Sequence, residues 1–318
     1  MLLAISLDNC SVSRGKTMSA RKSIIAVSLI FTSLLCFSQG NRINLDVKMV
    51  LVTVTVTDKH NRFVQGLQKE NFQVWEDKFE QTPIHFSSET TPVTLGIVLD
   101  KSGSMGGRRP KAGAAPPSLQ DRMITTAASC LREGTRVDEY FLLEFSSSPM
   151  ITADFTSDIS KLGERLVFMD AGGSTALWDA IYLGVRKLED ASNPRKALLV
   201  LTDGRENRSR YSLTELKGLL REQDVRIYSM DRVEVQIDGL AQLSDLTGGR
   251  VFRSSEPCKE LSADLRNQYV IGYRPTNGAS DGAWRDIRVR IRPEGLPKEM
   301  SDLNVRARKG YYAEQGRP

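Results

Sequence analysis

Histidine is nearly missing from this chain: of 318 residues only two, His60 and His85, are histidine. Histidine is the side chain whose ordinary pKa suits proton transfer near neutrality, so general base chemistry here would fall to a carboxylate. Other catalytic signatures are missing too. There is no Walker A loop, no His-Glu-x-x-His and no cysteine–histidine pair in a recognisable context. Asp100-Lys101-Ser102 lacks the second aspartate of a phosphatase-type Asp-x-Asp motif. No repeat recurs at a fixed period, and the composition excludes a collagen-like, coiled-coil or wholly disordered chain. With 40% hydrophobic and 26% charged residues, it suits a large domain with a sizeable core plus a smaller one.

Long apolar runs are also missing. The strongest is Ile24–Phe31, continuing through Leu34, Leu35 and Phe37, preceded by Arg21 and Lys22. It is short for a membrane span and reads as the core of an export signal, residues 1–38, with cleavage expected after Ser38 or Gly40 and translation starting at Met18. The alternatives are an uncleaved anchor and a lipoprotein signal at Cys36; the bulky Leu35 argues against the second. Removing residues 1–38 takes away four basic residues and one acidic one and leaves a net charge of about +2, so charge gives no case for nucleic acid. An exported protein in the periplasm, cell envelope or medium is expected, touching membrane only through its signal or anchor segment. Cys130 and Cys258 remain, at a spacing that fits no zinc pattern. They could pair in an oxidising compartment, but the apolar helical setting of Cys130 favours a buried free thiol.

Three textures follow. Residues 41–91 alternate with period two, most clearly over Val47–Thr57, and predict short strands. Residues 92–268 alternate continuous apolar runs (Thr94–Leu99, Tyr140–Phe145, Ala197–Leu201, Val225–Met230, Arg250–Phe252) with amphipathic helical stretches at 119–131, 159–168, 175–188, 213–223, 240–247 and 258–268. That pattern predicts a doubly wound α/β domain with a mostly parallel sheet and helices on both faces. Residues 269–313 return to strand texture, leaving 314–318 as a tail. Two β pieces this small need each other, so they are expected to form one β-sandwich with the α/β domain inserted. Residues 106–117, rich in Gly, Pro and Arg, read as a surface loop. Trp75, Trp178 and Trp284 read as core residues, His60 and His85 as structural.

Chemistry-bearing residues cluster where apolar strands end. Ile97-Val98-Leu99 runs into Asp100-Lys101-Ser102-Gly103-Ser104; Leu199-Val200-Leu201 runs into Thr202-Asp203-Gly204; and Gly172-Gly173-Ser174-Thr175 opens a helix between them. The carboxyl ends of parallel strands share one edge, where ligands bind. Two carboxylates and three hydroxyls converging there would suit a hard cation, Mg²⁺ or Mn²⁺. Each residue also has a plain role: Ser102, Ser104 and Thr175 could cap helices, and Asp203-Gly204 could be a turn.

In order, spacing and flanking strands these residues resemble the metal-ion-dependent adhesion site of von Willebrand factor A domains, over about residues 93–268. Val52–Asp58, Glu70–Asp77, Tyr269–Tyr273 and Val305–Tyr312 resemble the flanks of bacterial exported VWFA-related proteins, extending the likeness to about residues 45–313. The resemblance implies that Ser102, Ser104 and Thr175 touch the metal or move in and out of its shell. Asp100 and Asp203 would act mostly through water, and a carboxylate of a protein or glycan partner would complete the coordination. It implies a binding module, not an enzyme. Arg205, Arg208 and Arg210 could form a rim that guides an acidic partner, or a solvated surface; the basic Gly/Pro insertion after Met105 departs from the family pattern. The rival readings are a metal-assisted hydrolase and a structural envelope protein whose metal only stiffens its loops.

Overall fold

The computed structural model describes residues 49–105, 117–167, 172–203, 206–230, 238–254, 256–292 and 302–315. The export signal, most of the Gly/Pro-rich insertion, Gly204, Arg205 and the last three residues of the tail lie outside the described residues.

The chain opens with β1 (Val50–Asp58), β2 (Phe72–Glu76), β3 (Phe79–Gln81) and β4 (Pro83–Ser87). It then alternates β5 (Val93–Asp100), α1 (Leu119–Arg132), β6 (Glu139–Phe145), β7 (Pro149–Thr156), α2 (Ile159–Val167), α3 (Leu177–Glu189), β8 (Arg195–Leu201), α4 (Leu213–Glu222), β9 (Val225–Met230), α5 (Asp238–Thr247), β10 (Val251–Phe252) and α6 (Pro257–Arg266). It closes with β11 (Tyr269–Tyr273), β12 (Trp284–Ile291), β13 (Leu303–Ala307) and β14 (Gly310–Tyr312).

The middle segment forms a six-stranded sheet in the order β10-β9-β8-β5-β6-β7. Every pairing is parallel except β6 with β7. All eight residues of β5 are buried, because helices cover both faces. Leu95, Ile97 and Leu99 pack with Met123, Ala127 and Leu131 of α1 and with residues of α2 and α6. Val98 and its neighbours Phe141, Leu198 and Val200 pack under α3, α4 and α5. Gly96 is required mid-strand: a Cβ there would lie 2.3 Å from the Phe141 ring and 2.5 Å from Leu198. The edge strand β7 is an addition to the sequence reading. Its half-exposed pattern, with Thr152, Asp154 and Thr156, carries no apolar run to announce it.

The flanking segments build a sandwich. One sheet runs β13-β1-β11-β4 and the other β14-β12-β2-β3, so strands from before and after the α/β segment alternate in the first and meet at the β12–β2 pairing in the second. Val52, Val54 and Val56 of β1 face Phe72, Val74 and Ile287 of the other sheet across a common core, and each such buried side chain contributes roughly 1.5–3 kcal/mol. The α/β domain is thus inserted in a sandwich made by the two ends. The junction is polar and buried. Asp264 of α6, fully enclosed, accepts hydrogen bonds from Arg306 Nη2 at 2.6 Å, Thr55 Oγ1 at 3.2 Å and Tyr228 OH at 3.3 Å. Arg226 of β9 donates to Thr55 Oγ1 at 2.9 Å and to the Thr53 carbonyl at 2.7 Å.

Two expectations are corrected. Cys130 and Cys258 are joined in a disulfide, not held as free thiols. The last turn of α1 and the first turn of α6 lie side by side, with the two Cα atoms 4.6 Å apart, a separation a disulfide spans; local apolar texture could not reveal that approach. The three tryptophans are half-buried instead of core residues. Trp178 flanks the core beside Gly239, and Trp284 lies edge-on to Tyr312 with Arg221 over its ring. Among the described residues, no helix is long and apolar enough to cross a membrane.

Candidate metal-binding site

β5 and β8 are parallel neighbours with Leu99 paired to Leu201, so Asp100 and Thr202-Asp203 leave the sheet together at its carboxyl edge. Thr202 Oγ1 donates to Asp100 Oδ2 at 2.6 Å, and the Ser102 amide donates to Asp100 Oδ1 at 2.8 Å. Asp100 therefore shapes the turn after its strand. The Met105 amide closes that turn on the Ser102 carbonyl, and the Ser102 and Ser104 hydroxyls meet at 3.2 Å.

The second loop is laced to the first by its main chain. The Gly172 amide donates to the Lys101 carbonyl at 2.7 Å, and the Gly103 amide to the Gly173 carbonyl at 2.9 Å. Gly173 has φ +89°, and a Cβ on it would lie 2.8 Å from Ser147 Oγ, so only glycine suits this crossing. Thr175 follows. Its amide donates to Asn207 Oδ1 at 3.0 Å, and its carbonyl accepts from the Asn207 amide at 3.1 Å. The Ala176 amide is held by the Ser146 carbonyl at 2.7 Å.

Asp100, Ser102, Thr175 and Asp203 are buried and Ser104 is exposed. Asp100, Ser102 and Ser104 are in direct contact in series. Asp203 is close enough for its charge to act on Asp100. Thr175 is tied through Asn207 to the loop that follows Asp203. The helix-capping roles go to other residues. The cap of α1 is Ser118, whose hydroxyl accepts from the Asp121 amide, which releases Ser102 and Ser104 from that duty. α3 begins after Ala176, not at Thr175, and its first amides, of Leu177 and Trp178, donate to Glu206 Oε2 at 2.7 and 3.1 Å.

Electrostatics suits a cation. The Asp100 carboxyl is pushed above its usual range, chiefly by burial and further by the charge of Asp203, against the lowering effect of the Thr202 and Ser102 hydrogen bonds. A hard divalent ion among these oxygens would favour both carboxylates in their charged forms. Among the described residues no group of three or more His, Cys, Asp or Glu could cage a metal, so hydroxyls must supply much of any donor set here.

Of the rim, Arg205 lies outside the described residues, and Arg208 is exposed. Arg210 keeps an exposed side chain, but its Nε donates to Asp179 Oδ2 at 3.1 Å and its amide to Asp179 Oδ1 at 2.9 Å. Sequence reasoning gave no role to Thr202, Glu206, Asn207, Ser209 or Asp179. Their partners outside their own loop lie 28 to 102 residues away, beyond the reach of local pattern. Gly278-Ala279-Ser280-Asp281-Gly282 has nucleophile-elbow spacing, but it connects β11 to β12 of the sandwich and leads into no helix.

Among solved structures, the chain is similar to BatB from Bacteroides thetaiotaomicron, at 19% identity over 54% of this chain and 97% of that one, TM-score 0.42. It is also similar to the PilB minor pilin from Streptococcus sanguinis, at 13% identity over 56% and 61% of the two chains, TM-score 0.44. The vWF domain of the type V pili tip protein Mfa5 from Porphyromonas gingivalis matches at 20% identity over 37% and 39%, TM-score 0.30. No curated protein matches the chain. The family model of the von Willebrand factor type A domain matches residues 95–264, more than half of the sequence, from within β5 to within α6. Strand order, helices on both faces and loops gathered at the carboxyl edge agree with that match, and the chain belongs to the von Willebrand factor type A domain family.

Proposed function

We propose that this protein is an exported, non-catalytic binding module that holds one Mg²⁺ or Mn²⁺ through Asp100, Ser102, Ser104, Thr175 and Asp203, and engages a protein or glycan partner that supplies a carboxylate. The family membership supports a protein-interaction or adhesion module. The observation that carries the metal reading is the buried Asp100 carboxyl, hydrogen-bonded by Thr202 and the Ser102 amide, pushed up chiefly by burial and further by the charge of Asp203, and set beside hydroxyls whose capping roles other residues have taken. When bound, the cation would supply positive charge and an open coordination position. Asp100 orders the Ser102–Ser104 turn, Thr202 holds the Asp100 carboxylate in place, and Arg208 adds exposed positive charge beside the site.

The two histidines support the non-catalytic reading: His60 follows β1 and His85 lies on β4, both in the sandwich. Export is supported by the Cys130–Cys258 disulfide, a bond that persists in oxidising compartments.

The test is capture of partners from envelope extract on immobilised wild-type protein and Asp100→Ala, in Mg²⁺ and in EDTA. Partners retained by wild type in Mg²⁺, released by EDTA and not retained by the variant are expected. Capture that ignores both chelator and substitution would overturn the proposal, and metal-dependent hydrolysis of phosphoester or peptide substrates abolished by Asp100→Ala would replace it with the enzyme reading.

A further inference from the structure

We propose that Glu206 and Asn207 are positioning residues of this site, holding Thr175 in register with the loop that carries Asp203. The inference rests on the metal-binding reading above and assigns a task to residues that none of the proposed ligands explains.

The observation begins with a helix that cannot cap itself. The residue before α3 is Ala176, which has no side-chain acceptor. Glu206 supplies it from a distant loop. One carboxylate oxygen accepts from the Leu177 and Trp178 amides and, at 2.7 Å, from the Ser209 hydroxyl. The other accepts from the Arg208 amide at 2.9 Å and the Ser209 amide at 2.8 Å. Ser209 Oγ in turn accepts from the Trp178 and Asp179 amides at 2.9 and 3.2 Å. Asp179 answers from the helix side by accepting the Arg210 and Tyr211 amides at 2.9 and 3.1 Å. The loop and the helix start thus cap each other reciprocally.

Asn207 sits inside this clamp and grips Thr175 twice, by its side-chain oxygen and by its own amide. Asn207 is only four residues after Asp203, and Thr175 only one before Ala176. Asn207 therefore ties Thr175 to a point four residues past Asp203 in the chain. Hard-ion sites with near-octahedral geometry tolerate little ligand displacement, so a clamp of this kind decides whether two ligands far apart in sequence fit one ion. A cap that served only the helix would need Glu206 and Ser209 but not the Asn207–Thr175 pair.

The experiment compares wild type, Asn207→Ala, Asn207→Asp, Glu206→Gln and Asp100→Ala in two measurements. The first is exchange of the Thr175 and Leu177 amides in metal-free protein, read by NMR. The second is Mn²⁺ affinity, read by electron paramagnetic resonance. Asn207→Ala should deprotect the Thr175 amide and weaken Mn²⁺ binding about tenfold, the effect of one lost hydrogen bond. Asn207→Asp keeps the accepting oxygen and should restore both readouts. Glu206→Gln, which removes one accepting oxygen, should deprotect Leu177 and weaken Mn²⁺ comparably. Wild-type affinity in Asn207→Ala, or weakened affinity with an unchanged Thr175 amide, would overturn the positioning role. Absence of Mn²⁺ binding in wild type would instead defeat the metal reading, which the Asp100→Ala control keeps separate.

Discussion

Two buried carboxylate centres in this molecule differ in what neutralises them. At the junction of the α/β domain with the sandwich, Asp264 is met by the guanidinium of Arg306 at 2.6 Å, with Arg226 at 3.8 Å and Arg250 at 3.7 Å. At the carboxyl edge of the sheet, Asp100 is met by an amide and a hydroxyl, with Asp203 adding repulsion. Burial of charge is costly in both places. The junction answers with the protein's own cations and is a structural device. At the edge, the partners of Asp100 among the described residues are neutral donors, and the proposed cation would supply the missing positive charge.

That contrast makes graded predictions. The largest effect belongs to the junction. Asp264→Ala leaves Arg306 and Arg226 without their buried partner and should cost about 3–5 kcal/mol in urea unfolding. A loss below about 1 kcal/mol would break the comparison from the structural side. The Cys130–Cys258 disulfide closes a sequence separation of 128 residues. Replacing both cysteines by serine should cost about 2–5 kcal/mol by the same measurement and leave the edge site chemically intact.

The edge site should behave in the opposite way. Asp100→Ala removes two hydrogen bonds but also the repulsion with Asp203, so in EDTA its unfolding free energy should stay within about 1 kcal/mol of wild type. Mg²⁺ at a hundred times its dissociation constant should stabilise wild type by about 2.7 kcal/mol and the variant not at all, a difference read from paired denaturation curves. The smallest effect belongs to the rim. Arg208→Ala should change stability by no more than about 0.5 kcal/mol and act, if at all, through a slower association rate with an acidic partner.

The two centres also differ in how far sequence announced them. The sequence places Asp100, Ser102, Ser104, Thr175 and Asp203 near one edge, because each lies close after an apolar run or a glycine pair and the carboxyl ends of parallel strands must share an edge. The alternation of Val50, Val52, Val54 and Val56 announced the sandwich in the same way. Asp264 gave no signal: it sits in the last turn of α6, and its partners Thr55 and Arg306 come from opposite ends of the chain. The disulfide was misread for the same reason, since Cys130 and Cys258 meet only once α1 and α6 pack. Glu206 and Asn207 look like loop residues until the start of α3 is seen to lack a cap of its own. Periodicity reports which face of an element is buried, not which distant side chain completes it.

The most direct test of the central claim is titration of metal-free protein with Mn²⁺, followed by electron paramagnetic resonance, in wild type, Asp100→Ala and Asp203→Ala. The account predicts one bound ion per wild-type chain, competed by Mg²⁺, and none in either variant. An ion that binds equally well to all three proteins, or to none, would contradict it.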